Sequence, residues 1–330
     1  MAKPKVYVTR VMAEQGLELL RDWAEMRVWP EDRPVPREIL LQEATDCDGL
    51  LAMLTDRIDG ELLDACPKLK VVSDHAVGYD NIDIAACTER GVLVGNTPGV
   101  LTETTADVAF ALILGVARRM AEMVDYVKQD KWQTWGPLEN LGTDVHHTTL
   151  GILGMGRIGY EVGKRARGFD MEILHHSRTR NAEAEEKLGA VFVSKEELLR
   201  RSDFVSVHVP LSAATRHYIG ATELNLMKPT AFLINTARGP VVDQAALLAA
   251  LQNGKIAGAG LDVIDPEPMR ASDPLLTLPQ VLILPHIGSA TYATRGKMAE
   301  IAARNLIAAL SSQPMVSCVN PEALGKGRNS

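Results

Sequence analysis

The sequence predicts an α/β protein of two doubly wound lobes, each built on a parallel sheet. Three observations carry that prediction. Short apolar runs alternate with amphipathic stretches along nearly all of the 330 residues, the pattern of strand–helix–strand units whose crossovers impose parallel pairing. The alternation breaks at Pro98-Gly99 and starts again at Thr149. At roughly 150 residues per domain, the length itself points to two domains.

The elements follow in order. Lys5–Thr9 reads as a strand and Gln15–Leu20 as part of a helix. Met26–Trp29, Gly49–Met53, Leu69–Val72 and Val92–Val94 read as further strands. A single long helix is expected over Thr102–Gln129, carrying the apolar run Val108–Ala117. After Pro137 and the polar stretch Asn140–Asp144, a second series opens at Thr149–Leu153. It continues through Met171–His176, Phe204–Val209, Ala231–Asn235, Ala259–Val263 and Val281–Leu284. A last helix, Arg295–Leu310, follows once that sheet is complete and returns to the first lobe. The tail Gly325–Ser330 reads as a frayed end.

Composition narrows the function. Apolar residues make up 46% and charged residues 23%, which excludes a disordered or low-complexity role. A formal net charge of −7 argues against nucleic acid as the main partner. Val108–Ala117 is too short to cross a bilayer, and the first residues lack a signal-peptide layout. Cys47, Cys66, Cys87 and Cys318 are scattered, without C-x-x-C spacing or a local histidine cluster, so neither a disulfide framework nor a metal site is expected. Free thiols suit a reducing, cytoplasmic compartment.

Gly154-Met155-Gly156-Arg157-Ile158-Gly159 is a G-x-G-x-x-G sequence. Its weight comes from context: it follows the apolar strand Leu150–Leu153 directly and opens the helical stretch Ile158–Gly168. The first glycine allows a tight turn, the second lets backbone approach a pyrophosphate, and the third permits close helix–strand packing. About twenty residues on, an NAD-type site carries Asp or Glu for the ribose hydroxyls. This chain has Ser177-Arg178-Thr179-Arg180 there, and Glu172 lies earlier, inside the strand. Guanidinium and hydroxyl groups suit a 2′-phosphate, so NADP(H) is expected as the preferred cofactor with NAD(H) possible.

Three chemical groups stand just past later strands, where an open parallel sheet places its site. Arg238 follows Ala231–Asn235, Asp265 and Glu267 follow the next strand, and His286 lies between Pro285 and Gly288 past the last. A guanidinium can hold a carboxylate, a histidine can exchange a proton, and an acid can favour the protonated imidazole.

These residues resemble the D-isomer-specific 2-hydroxyacid dehydrogenases, and most closely their glyoxylate/hydroxypyruvate reductase branch. The resemblance runs through Ala76–Asp83, Asn96–Pro98, Thr105–Asp107, Gly154–Gly159, Asn235–Gly239, Gly260–Val263 and Pro285–Ser289. It implies a Rossmann NAD(P)-binding domain at 100–287, inserted in a flavodoxin-like substrate-binding domain made of 1–99 and 288–330. It implies reduction of a small 2-oxoacid, glyoxylate or hydroxypyruvate, to the D-2-hydroxyacid, and a homodimer in which the segment around Trp132 and Trp135 reaches toward the partner. By the same resemblance Arg238 grips the substrate carboxylate and carbonyl, His286 gives the proton, and Glu267 orients it. The amides of Val77 and Gly78 receive the carboxylate, with Leu54 shaping the pocket. Met155 to Ile158 wrap the pyrophosphate and Ser177 to Thr179 the adenosine ribose and its phosphate. Thr104, Val209, Pro210, Thr236, Ala237, Arg238, Asp262, His286 and Gly288 complete the cofactor contacts.

Two departures stand out. Asp74-His75 precedes Ala76-Val77-Gly78 where less polar or aromatic residues are usual, which makes His75 either a second ionisable group or a structural one. Asp265-Pro266 replaces a more acidic run before Glu267, stiffening the loop while keeping the spacing. Related alternatives are a phosphite dehydrogenase, a D-lactate-type enzyme and a phosphoglycerate dehydrogenase. A non-catalytic nucleotide-sensing co-repressor is the alternative outside the enzymes.

Overall fold

The computed structural model describes residues 2–329. The chain divides into two compact units, one running from the N-terminus to Leu101 and resuming at Ala290, the other spanning Thr102–Ser289.

The sheet of the first unit contains β1 (Lys5–Val8), β2 (Glu25–Val28), β3 (Gly49–Ala52), β4 (Val71–Asp74) and β5 (Leu93–Gly95). Its order is β2-β1-β3-β4-β5 and every pairing is parallel, Val6 lying opposite both Met26 and Gly49. That is the flavodoxin-like arrangement. The helices α1 (Glu14–Arg21), α2 (Arg37–Ala44), α3 (Gly60–Ala65) and α4 (Ile84–Glu89) connect the strands. All four β3 residues are buried, as a strand covered on both faces requires. Alternate β4 side chains serve opposite layers: Val72 packs with Leu40, Leu62 and Cys87, and Val71 with Leu17, Leu20 and Leu306.

In the second unit, α5 (Thr102–Ala117) and α6 (Met120–Lys128) precede a seven-stranded sheet. Its strands are β6 (Thr149–Leu153), β7 (Glu172–His176), β8 (Val191–Phe192), β9 (Phe204–Val207), β10 (Phe232–Asn235), β11 (Gly258–Leu261) and β12 (Val281–Ile283). The connecting helices are α7 (Arg157–Arg167), α8 (Ala182–Leu188), α9 (Lys195–Arg201), α10 (Ala221–Leu226) and α11 (Gln244–Gln252), and α12 (Tyr292–Leu310) belongs to the first unit. The order β12-β11-β10-β9-β6-β7-β8 is entirely parallel. Read from β8, it is the doubly wound dinucleotide-binding order with one added strand, and it reverses direction between β6 and β9. Fully buried side chains such as Leu153, Phe204 and Leu233 each contribute about 1.5–3 kcal/mol through apolar burial.

Three local expectations change, and one strand carries no signal in the sequence. The long helix Thr102–Gln129 is two helices, because Arg119 takes a left-handed backbone (φ 54°) between α5 and α6. Arg119 is held there by Glu122, 2.5 Å away, and by the Leu141 carbonyl at 3.1 Å, and neither contact is visible as a helix-breaking residue. The two-residue β8 is too short for a periodicity signal. Leu69 lies outside the strand, which runs Val71–Asp74 and carries a fully buried Asp74. The tail is docked rather than frayed as far as it is described: Arg328 donates to the carbonyls of Leu63, Cys66 and Leu69. Ser330 lies outside the described residues.

Candidate active site

In a parallel sheet every strand delivers its following loop to the same edge, so β6, β7, β9, β10, β11 and β12 assemble one set of loops. The glycine turn after β6 is shaped as a phosphate cradle needs. Gly154 has φ +96°, and a Cβ there would lie 2.8 Å from the His208 carbonyl. A Cβ on Gly159 would lie 2.4 Å from the Gly154 carbonyl oxygen, so α7 packs against the turn only through glycine. Gly156 differs: it caps α7 in extended geometry and a Cβ there would meet nothing within 4 Å. Open space beside the first amides of an eleven-residue helix is where a pyrophosphate fits.

The loop after β7 is tied to this turn at both ends. The Met155 amide donates to Ser177 Oγ at 2.8 Å, and Asn181 Nδ2 donates to the Met155 carbonyl at 2.9 Å. Arg178 and Thr179 are exposed between those anchors. Arg178 has no hydrogen bond or ion pair among the described residues, whereas Arg180 is engaged by Glu185 through Nε (3.0 Å) and Nη2 (2.5 Å). Glu185 is a partner that residue order did not reveal, and it neutralises one of the two arginines counted for a phosphate clamp. Glu172 sits at the opposite end of β7, paired with Arg201 at 2.5 Å.

After β10, Asn235 fixes the turn that presents Arg238. Its side chain accepts from the Ala237 amide (3.0 Å) and donates to the Arg238 carbonyl (2.9 Å). A Cβ on Gly239 would lie 1.8 Å from the Ile264 carbonyl oxygen, so only glycine allows this turn to touch the loop after β11. That loop carries Glu267, whose Oε1 accepts from the Ile264 amide at 3.1 Å and whose Oε2 lies 2.9 Å from His286 Nδ1. Burial raises the Glu267 carboxyl, but the His286 hydrogen bond and charge, the Ile264 amide and the Arg238 charge together bring it below its ordinary value. Glu267 is therefore an anion at neutral pH, and His286 Nδ1 donates to it. The other ring nitrogen is left for chemistry.

His286 itself has a left-handed backbone (φ 54°). Asp262, 1% exposed, holds that turn: its two carboxylate oxygens accept from the Ile287 and Gly288 amides at 2.8 Å each, and its carbonyl accepts from the His286 amide at 2.9 Å. From the sequence, Asp262 is expected only as a cofactor contact. Asp262 and Asn235 as loop clamps carried no signal beyond their strand-end positions. Burial raises the Asp262 carboxyl against those two amides. Thr105 Oγ1 donates to the Gly288 carbonyl at 3.2 Å, and Thr104 lies one residue earlier in the first turn of α5.

The structure brings Thr236, Ala237, Val209, Pro210 and Gly288 to the same strand-end edge. Beside Thr236, 8% exposed, stands His208, which sequence reading passed over. Its Nε2 lies 2.8 Å from Ser206 Oγ and its Nδ1 3.5 Å from Thr236 Oγ1, and burial pushes its imidazole down to about 4.

In the first unit, Leu54, Val77 and Gly78 follow β3 and β4. The Ala76–Val77 backbone is held by the Thr97 amide and by Asn96 Nδ2, which donates to the Val77 carbonyl at 2.9 Å. His75 lies just past β4, and burial, opposed by a hydrogen bond to the Arg295 backbone, pushes it down to about 4. It is a neutral group at pH 7.

The segment that carries the glycine cradle, Arg238, Glu267 and His286 matches a known family model. Residues 110–288 fit the D-isomer-specific 2-hydroxyacid dehydrogenase NAD-binding domain. The chain belongs to that family. A glyoxylate reductase from Thermococcus gammatolerans is 51% identical over 326 residues, covering 98% of this chain and 97% of that one. A glyoxylate reductase structure from Paecilomyes thermophila superposes with TM-score 0.86 at 36% identity, covering 98% of this chain and 99% of that one. An NADPH-dependent glyoxylate/hydroxypyruvate reductase from Sinorhizobium meliloti, solved with NADP and malonate, gives 0.84 at 32% identity, covering 98% of each. The protein is thus an oxidoreductase of the 2-hydroxyacid class with a nicotinamide-nucleotide domain. No helix among the described residues is long and apolar enough to cross a membrane.

Proposed function

We propose that this dehydrogenase reduces a small 2-oxoacid, glyoxylate or hydroxypyruvate, with NADPH preferred over NADH. The observation that carries the reading is the His286 Nδ1–Glu267 Oε2 contact of 2.9 Å facing the Arg238 charge, in a chain about half identical to glyoxylate reductases.

When bound, the reduced nicotinamide supplies the hydride. Arg238 grips the substrate carboxylate by its planar fork and turns the carbonyl toward the cofactor. The family resemblance gives the Val77 and Gly78 amides to the same carboxylate and Leu54 to the pocket wall. As charge develops on the carbonyl oxygen, His286 passes its Nε2 proton there, completing the hydroxyl group. Glu267 keeps the proton on Nδ1 and stabilises positive charge on the ring before transfer. Asp262 holds the His286 backbone in place, and the guanidinium of Arg238 favours the developing anion.

The Gly156 cradle, Ser177 and Thr179 would hold the pyrophosphate and adenosine ribose. Arg178, exposed and without a partner among the described residues, is the group offered to a 2′-phosphate. Met120, Val124 and Val127 leave an apolar stripe exposed on α6, continued by Trp132, Trp135 and Leu138. A second copy of the chain is proposed to cover it, which light scattering reads directly as mass. Cofactor oxidation followed against glyoxylate, hydroxypyruvate and pyruvate tests the activity. Turnover of glyoxylate with clear NADPH preference supports the reading, and no turnover of any of the three removes it.

A further inference from the structure

We infer that Glu185 limits the NADPH preference of this site by holding Arg180 back from a 2′-phosphate. The inference rests on the reading that the loop after β7 receives the adenosine ribose. Ser177 and Asn181, at the two ends of that loop, both bond to Met155 of the glycine turn. Three residues remain between the anchors, and two of them are Arg178 and Arg180. By position alone both could serve a phosphate beside the ribose.

Their side chains are used differently. Arg180 presents Nε and Nη2, the edge suited to a bidentate anion, to the Glu185 carboxylate. Behind it the Phe192 ring lies 5.4 Å from the guanidinium carbon, and His176 stacks on that ring at 5.9 Å. Glu185 has a fixed place, because its amide bonds to the Asn181 carbonyl (3.1 Å) and Asn181 caps α8 through the Ala184 amide (3.0 Å). The buried His175 has its Nε2 3.5 Å from the same carboxylate. Bonding to Arg180 holds the Glu185 carboxyl below its ordinary value.

Two consequences follow. The Arg180–Glu185 pair adds no net charge, so Arg178 alone makes the loop electropositive. A 2′-phosphate approaching Arg180 must also displace, or sit against, a carboxylate of like charge. Glu185 thus limits from α8 the NADPH preference that Arg178 confers, without reversing it. NADH, with only hydroxyls at that position, does not meet this opposition.

The test is direct titration of NADPH and NADH into the full-length protein, followed by cofactor fluorescence or calorimetry. The variants are E185Q, R180M and E185Q/R180M, with melting curves to confirm that each is folded. E185Q is expected to tighten NADPH about tenfold by freeing one guanidinium for the phosphate, with NADH changed less than about twofold. R180M alone leaves the Glu185 carboxylate unpaired and is expected to weaken NADPH by up to about threefold with NADH nearly unchanged, and in the double variant the E185Q gain disappears. The inference is overturned if folded E185Q binds NADPH no more tightly than the unsubstituted protein. It is also overturned if E185Q/R180M binds NADPH as tightly as E185Q, since the gain would then owe nothing to a freed Arg180. A protein that prefers NADH before any substitution contradicts the proposed cofactor preference but not this inference, which concerns the change caused by E185Q.

Discussion

Gly156→Ala separates folding from cofactor binding more sharply than any other single change in the turn. The backbone at Gly156 is extended (φ −86°, ψ −159°), and a Cβ there meets no atom within 4 Å. Alanine therefore fits the protein without strain, and the melting temperature should stay within about 2 °C, the shift expected for a ΔΔG of a few tenths of a kcal/mol. The same methyl fills the space a pyrophosphate must enter to reach the first α7 amides. Losing one or two charge-assisted hydrogen bonds costs about 2–4 kcal/mol, a dissociation constant raised about 30- to 1,000-fold. Calorimetric titration of NADPH into the variant, with a melting curve on the same sample, reads both quantities. A fully folded Gly156→Ala protein that binds NADPH as tightly as the original would refute the placement of the pyrophosphate on this turn. Gly159→Ala is the contrast, because its Cβ would lie 2.4 Å from the Gly154 carbonyl oxygen, and it should lower the melting temperature first.

Further expectations concern the catalytic loops and one half-buried histidine. His286→Gln should lower kcat by about 100- to 10,000-fold with NADPH affinity unchanged, and a comparable loss of affinity would instead make His286 a binding residue. Arg238→Ala should raise the KM for glyoxylate about 30-fold or more, as removal of a bidentate carboxylate partner does, and an unchanged KM would sink its role. Arg178→Met should weaken NADPH about tenfold while sparing NADH. For His208 the folded protein binds a proton only near 4, against the ordinary 6.5 of the unfolded chain. The unfolded state thus holds more protons between those values. Stability is full above about 6.5 and falls, by at most about 1.4 kcal/mol per pH unit, as pH drops toward 4. Urea unfolding at pH 7.5 and 5 should show a smaller acid loss for His208→Asn than for the original protein, and equal losses would contradict the burial argument.

The fold was legible because its signals are local. Alternating strands and helices, the break at Pro98-Gly99 and the glycine turn after Leu153 each lie within a few consecutive residues. What escaped was made by contacts between distant residues. The helix break at Arg119 depends on Glu122 and Leu141, and nothing in Arg118-Arg119 resembles a breaker. The C-terminal tail looks polar and loose, but Arg328 satisfies three carbonyls around the end of α3. In the site, strand-end position pointed to Arg238, Glu267 and His286, and the structure gives Glu267 and His286 a direct contact. Glu185 was missed because it lies five residues beyond Arg180 on the next helix, and only the fold reveals that their charges meet. His208 was passed over because burial, rather than neighbours in sequence, makes it unusual.

The central claim is that Arg238, Glu267 and His286 reduce a small 2-oxoacid with a bound nicotinamide nucleotide. It is tested most directly by the single-turnover rate of NADPH oxidation with saturating glyoxylate, in the original protein and in His286→Gln. The account expects rapid oxidation in the first and a rate lower by at least about 100-fold in the second, with equal NADPH occupancy. Equal rates in the two proteins, or no oxidation in the original despite bound NADPH, would contradict it.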